Sequence, residues 1–410
     1  MRVKPELLAP AGNFEKLKYA LHYGADAVYC AGKRFGLRAK ADNFDIDELR
    51  QAVDYVHARD KRIYVTLNMI PHNDDLAGLA DYVRQLSDMG VDAVLVADPG
   101  VFAIVRETVP KMKISVSTQA NNTNWRSAKF WYDQGARRIV LARELGLEEI
   151  RTIVDKTPAD MEIETFVHGA MCISYSGRCL LSHYMTGRNS NQGDCAHPCR
   201  WKYHLVEETR PGEAFEIDED DTGSFIFNSK DLCLINHLPA LMDAGVASLK
   251  IEGRMKSIYY VATVVSIYRQ VIDRYFDQPG AVVDAFYFEE LRKVSHRNYT
   301  TGFFEHKTTG DDQNYGTSSY TRLYDFAGVV QSYDAATGRA VIVQRNKIEA
   351  GDEIEVMAAG MDGGFYTQRA EALLDAQGNP IAATPHAKMV YSMKMAAPVK
   401  PMDIIRKRVD

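Results

Sequence analysis

The sequence predicts an α/β fold: a TIM (β/α)8 barrel with a cysteine-rich insertion after its seventh strand, followed by a small C-terminal antiparallel β-barrel domain. Three observations predict it. Short apolar runs alternate with amphipathic helical patterns over roughly the first 270 residues. The seventh strand–helix unit carries about fifty extra residues, including four cysteines. Beyond residue 324 the alternation gives way to short strands broken by turn signals.

The strand-like runs are ELLAPAG (6–12), DAVYCAG (26–32), RIYVTLN (62–68), AVLVADPG (93–100), ISVSTQAN (114–121), RIVLARE (138–144), IETFVHG (163–169) and SLKIEGR (248–254). Between them lie helical patterns such as NFEKLKYALHYG, IDELRQAVDYVHARD, LAGLADYVRQLSDMG and NWRSAKFWYDQG. Gly24, Gly90, Gly135 and Gly245 stand where helices should stop, because glycine accepts the left-handed conformation that follows a last helical turn. Eight such units in about 260 residues match a TIM barrel, whereas a doubly wound open sheet usually needs fewer strands. The barrel is expected over 1–280, with 170–232 as the cysteine-rich insertion ending in a hairpin built from WKYHLVEE and FIFNSKD. Residues 281–324 read as a connecting segment with a polar loop at TTGDDQNYGTSS, and 325–410 as the small β-domain.

Composition is that of a water-soluble globular chain: 46% hydrophobic and 25% charged residues among 410, with a net charge of −6. That charge excludes a generally basic nucleic-acid coat but not a local basic groove. The start MRVKPELLAPAG has no signal pattern, and no run approaches the ~20 apolar residues that span a bilayer, so a cytoplasmic location is expected.

Cys172, Cys179, Cys195 and Cys199 form a C-x6-C-x15-C-x3-C pattern, and they are four of only six cysteines in the chain. Clustered thiolates hold zinc or an iron–sulfur cluster, with disulfides as the competing explanation; a reducing compartment disfavours the last. Structural zinc prefers paired C-x2–4-C knuckles, and only Cys195 and Cys199 approach that spacing, which favours iron–sulfur. Cys233 is close enough in sequence to replace one ligand, while Cys30 reads as a packed core thiol. His168, Ser174 and Tyr175 also admit a hydrolase reading, although no nucleophile elbow accompanies them.

Active sites of TIM barrels lie at the C-terminal ends of the strands. Here those positions hold Asn68, Asp98, Thr118, Gln119, Asn121, Arg143, Glu144, His168, Glu252 and Arg254, a strongly polar set. Arg143, Arg178, Arg188, Arg200, Lys230, Lys250, Arg254 and Lys256 gather in the same stretches and suit an anionic substrate.

The block ETFVHGAMCISYSGRCLLS (164–182) resembles the signature of peptidase family U32, the collagenase-like proteins. ELLAPAGNFEKLKYALHYGADAVY, SVSTQANNTNW (115–125), NQGDCAHPCRWKY (191–203), FNSKDLCLI (227–235) and SLKIEGRMKS (248–257) resemble its other recurrent blocks. The resemblance implies that Cys172, Cys179, Cys195 and Cys199 hold a [4Fe–4S] cluster. It further implies oxygen-independent hydroxylation of the wobble uridine of tRNA, with prephenate as co-substrate and the tRNA anticodon stem-loop as partner, for whose target base Tyr175, Tyr184, Trp201 and Tyr203 are stacking candidates. A related protein subunit is a further candidate partner that the residues themselves do not indicate. Other members hydroxylate a ribosomal RNA cytidine or act on a quinone precursor, and collagenolytic activity is attributed to some. On this reading His168, Glu252 and Arg254 are the expected catalytic residues. Asn68, Gln119, Arg143, Arg178 and Tyr175 are the expected substrate-binding ones.

Overall fold

The computed structural model describes residues 3–37, 42–171, 179, 181–188, 190–198, 201, 205–206, 214–215, 219–220, 223–224, 230–305, 321–360 and 364–409. The expected barrel is present. Its strands are β1 (Glu6–Pro10), β2 (Ala27–Cys30), β3 (Arg62–Leu67), β4 (Ala93–Val96), β5 (Ile114–Val116), β6 (Arg138–Val140), β7 (Glu162–Ala170) and β8 (Ser248–Ile251). All eight run parallel in chain order, and β8 closes the ring by pairing with both β7 and β1.

Local chemistry sets the ends of the elements. Asn13 caps the helix Phe14–His22 by accepting from Lys16 N, and Asp98 does the same for Pro99–Thr108 with Pro99 in the first turn. The four predicted stop glycines all have positive φ, between +81° and +108°. The eighth barrel helix, Ile258–Asp277, is buried along most of its length because the C-terminal domain covers its outer side.

That domain is a seven-stranded antiparallel sheet around its own apolar core, which includes Ile342, Ile354, Tyr391 and Met393. Its fully buried Arg406 pairs with Glu355 of its own sheet and with Glu290. Glu290 belongs to the helix Ala285–Leu291, so the segment expected to be a connector supplies part of the docking surface. Tyr259 of the eighth helix stacks on Phe326, ring centroids 5.8 Å apart.

Two features surround the insertion. The short strand Asp231–Cys233 runs antiparallel to β7 and pairs with Tyr299–Thr300 on its other side, so the barrel sheet gains two outer strands. Within the insertion, Leu205–Val206 pairs with Ala214–Phe215, and Glu219–Asp220 with Gly223–Ser224. The predicted hairpin arm FIFNSKD and the loop TTGDDQNYGTSS lie almost wholly outside the described residues.

The barrel interior carries a buried ion network. Arg138 pairs with Glu6 at 2.6 Å and with Glu164 at 3.0 Å, and Lys250 pairs with Glu164 at 2.9 Å. Tyr64 and Ser248 donate further hydrogen bonds to Glu6. Burial alone would raise the pKa of Glu164, but Lys250 and Arg138 reverse this and hold its carboxyl below the usual range. Removing one partner leaves an uncompensated buried charge. Arg138→Met is expected to lower the unfolding free energy by about 3–5 kcal/mol in urea titrations. Lys129→Ala, which breaks an exposed pair with Asp133, should cost under about 1 kcal/mol.

Candidate active site

A cavity of about 170 Å³ opens at the C-terminal end of the barrel. Its wall includes Asn68, Gln119, Arg143, Glu252 and Arg254, all expected from their positions at strand ends, together with Tyr29, Thr66, Ser117 and Lys250. The insertion forms its other side through Cys179, Leu181, Ser190, Asn191, Cys195, His197 and Pro198.

Each polar side chain is held by a specific contact. Asn68 follows β3, and its Nδ2 donates to Gln119 Oε1 at 2.6 Å, while Ser117 Oγ donates to the same oxygen at 2.9 Å. Gln119 sits in the helical turn Thr118–Ala120, which ends at Asn121 in the left-handed region with φ 54°. Arg143 Nη1 donates to the carbonyl of Ala170 at 2.7 Å, where the insertion leaves β7. Tyr29 OH donates to Glu252 Oε2 at 2.9 Å, and the ammonium of Lys250 lies 4.4 Å from the Tyr29 ring centre. Lys250 is therefore the cavity floor and the top of the ion network at once. Arg254 is buried and donates to the carbonyl of Leu37.

The two described cysteines of the cluster are tied into one unit. Ser190 Oγ donates to the Cys179 carbonyl at 2.8 Å, Arg188 Nη2 to the Cys195 carbonyl at 3.2 Å, and Ala196 N to Ser182 Oγ at 2.9 Å. Ile70 N donates to Asn191 O at 3.2 Å, which joins this unit to the loop after β3. His197 N donates to Cys195 Sγ at 3.4 Å. Neither Cys179 nor Cys195 is in a disulfide. Cys172, Cys199, Tyr175, Arg178, Ser174, Arg200 and Tyr203 lie outside the described residues. Tyr184 and Trp201 are exposed on the insertion.

Other expected site residues are placed elsewhere. Asp98 is a helix cap. Thr118 donates its hydroxyl to Leu141 O, and Glu144 is a half-buried carboxyl whose pKa burial raises against the pull of Arg143. Cys30 is a core thiol, its pKa pushed up to about 12 by burial. Cys233 is likewise buried, up to about 12, with Sγ 4.0 Å from Tyr268 OH on the outer side of β7. His168 is not among the residues lining the cavity. Its ring packs against Tyr260, Tyr268 and Tyr299, with Nδ1 3.2 Å from Tyr268 OH. The cause is an irregularity in β7: Lys250 pairs with Phe166 but Ile251 with His168. One extra residue breaks the inward alternation that Glu164 and Phe166 establish.

Sequence reasoning missed Thr66, Ser117 and Tyr29. Thr66 was recoverable, since it shares a strand face with Asn68 two residues on. Tyr29 had no distinguishing signal within an apolar strand.

Fold and site together define a TIM-barrel enzyme class in which a cysteine-bearing insertion covers a polar barrel mouth. Residues 12–314 match the peptidase family U32 model and residues 322–406 the peptidase family U32 C-terminal domain. The chain belongs to peptidase family U32. It is 43% identical over 405 residues to tRNA hydroxylation protein P1 of Bacillus subtilis (strain 168), covering 98% of this chain and 95% of that one. It is 40% identical to tRNA hydroxylation protein P of Escherichia coli (strain K12), covering 86% of each. A 23S rRNA 5-hydroxycytidine synthase of Escherichia coli (strain K12) is 37% identical over 75% of this chain and 46% of its own length. Among the described residues no helix is long and apolar enough to cross a membrane.

Burial, followed by the charges of Lys256 and His296, lowers the pKa of His168 to about 3. The unfolded chain, with a histidine pKa near ~6.5, binds this proton more readily. Stability contributed by neutral His168 is therefore complete above pH ~6.5 and declines as pH falls toward 3. Between pH ~6.5 and 5 the loss is about 2 kcal/mol, at about 1.4 kcal/mol per unit. In His168→Phe this component of the pH dependence, measured by denaturation at each pH, should vanish while the cavity is retained.

Proposed function

We propose that the protein hydroxylates the wobble uridine of tRNA by an oxygen-independent reaction. In this reading Cys172, Cys179, Cys195 and Cys199 hold a [4Fe–4S] cluster, and prephenate serves as co-substrate. The observation that carries the reading is the convergence of Cys179 and Cys195 with a polar barrel mouth in one cavity. Relatives named for tRNA hydroxylation, similar over nearly the whole chain, support the RNA substrate. The donor set fits the cluster: two reduced thiols open on the cavity, and the loops that bear them are hydrogen-bonded to each other.

When bound, the cluster would supply electron-transfer or Lewis-acid chemistry at the cavity. The chain's own residues do the positioning. Lys250 and Tyr29 form a cationic, aromatic floor to the site. Arg143 and Arg254, which line the cavity, supply positive charge that attracts a dicarboxylate. Glu252, hydrogen-bonded to Tyr29, is the carboxyl group available for proton transfer. Tyr184 and Trp201 offer exposed rings on the insertion for stacking RNA bases.

Protein purified without air should contain about four irons and four sulfides per chain, lost in Cys195→Ser. Transfer RNA from cells carrying only the Cys195→Ser protein should lack 5-hydroxyuridine by nucleoside mass spectrometry. Zinc as the only metal, or unchanged nucleosides in a deletion strain, would overturn the proposal. Peptide cleavage that survives the Cys195→Ser change would move the activity to the peptidase class.

A further inference from the structure

We infer that Gln119 sets base specificity by presenting amide N–H groups, and no acceptor, to the cavity, so that it reads a carbonyl oxygen at the 4-position of a pyrimidine. The inference rests on the proposed function, in which a pyrimidine of RNA enters the barrel mouth. Its physical basis is a chain of hydrogen bonds whose polarity starts at the backbone. The amide N of Leu37 can only donate, and it donates to Asn68 Oδ1 at 3.3 Å. That contact fixes the Asn68 side-chain amide and turns its Nδ2 toward Gln119. Nδ2 can also only donate, so the atom 2.6 Å away must be the Gln119 oxygen. A reversed Gln119 would set one NH2 group against another.

Ser117 Oγ donates to the same Gln119 oxygen at 2.9 Å, which occupies its second lone pair. Gln119 Nε2 is thereby left with both of its hydrogens and has no protein partner among the described residues, on a side chain that lines the cavity. Thr66 Oγ1, buried in the same wall, also lacks a partner among them. A hydroxyl can turn to donate or accept, but this amide cannot. Leu37 is itself clamped from the other side, since Arg254 donates to its carbonyl.

Uracil and cytosine have nearly the same shape, and neither carries a charge. They differ at the edge next to C5: uracil offers the O4 acceptor, cytosine an N4 amino donor. A locked N–H donor pairs with the first and opposes the second. An unmatched donor of this kind costs about a 10- to 100-fold preference.

The test uses the cluster-loaded holoenzyme and two anticodon stem-loop RNAs that differ only by U or C at the wobble position. Equilibrium binding and kcat/KM for hydroxylation are measured for wild type, Gln119→Glu and Gln119→Leu. Wild type should prefer U by about 10-fold or more. Gln119→Glu keeps an oxygen for Asn68 and Ser117 but turns a carboxylate oxygen toward the base, so the U/C ratio should fall at least 10-fold or invert. Gln119→Leu, which removes the donors without adding an acceptor, should bring the ratio close to one. Unchanged U/C ratios in both variants, with wild-type iron content and melting temperature, would overturn the role of Gln119 alone. Failure of wild-type protein to bind either RNA would instead overturn the tRNA reading on which it rests.

Discussion

The barrel closes around a buried pairing of two carboxylates with two cations, and much of the molecule is arranged by it. Glu6 comes from β1, Arg138 from β6, Glu164 from β7 and Lys250 from β8, so the network spans the seam where the ring closes. Its charges sum to zero, which is the condition under which such a group can be taken out of water. Only the closed barrel brings a carboxylate near residue 6 to an arginine near residue 138. The network therefore selects the arrangement of the strands as well as stabilising it. It also determines what the cavity floor can be, because the Lys250 ammonium is held by Glu164 at 2.9 Å and lies against the ring of Tyr29.

The insertion depends on a second constraint, at its neck. Ala170 and Asp231 are cross-strand partners, so the chain leaves the barrel and returns at the same place. Asp231 is buried, accepts from Arg297 N at 3.2 Å and lies 4.0 Å from Lys256 Nζ. Arg143 adds a hydrogen bond to Ala170 from the loop after β6. Ordering the two ends of an excursion of about sixty residues reduces the entropy of the loop between them. Thiols on such a loop can be aimed at one cavity, whereas thiols on a free loop cannot. The C-terminal domain plays a comparable part for the eighth helix, which it covers through Tyr259, Arg406 and their partners.

Periodicity and glycine placement were enough to read the barrel from the sequence, because each strand is a short apolar run and several helices stop at a residue suited to left-handed φ. The mouth residues Asn68, Gln119, Arg143, Glu252 and Arg254 came from one rule about strand ends. The same rule misplaced His168, since a one-residue irregularity in β7 carries no sequence signature and reverses the face of the residues beyond it. Asp98 shared the expected position but is consumed as a cap, a role that the adjoining proline could have signalled. Glu290 and Lys293 looked like linker residues because their partners, Arg406 and Glu355, lie more than sixty residues further on. Long-range ion pairs of that kind leave no local trace.

Arg254 shows why placement alone does not settle a residue's role. It lies at the end of β8, where a catalytic arginine would be expected, yet its guanidinium grips the carbonyl of Leu37, whose N–H orients Asn68. The strength of that grip decides how firmly the donor polarity reaches Gln119. A flexible Leu37 would let both amides flip and the cavity would lose its sign. Because the chain of hydrogen bonds begins at a peptide N–H and is braced by a buried guanidinium, the sign is a property of the backbone rather than of side chains free to choose. Net charge alone does not perform this selection between two neutral bases of equal shape; an oriented donor or acceptor does. In the proposed reading the arginines attract an anionic polymer and an anionic co-substrate to the barrel mouth, and the oriented Gln119 donor tells one pyrimidine edge from the other.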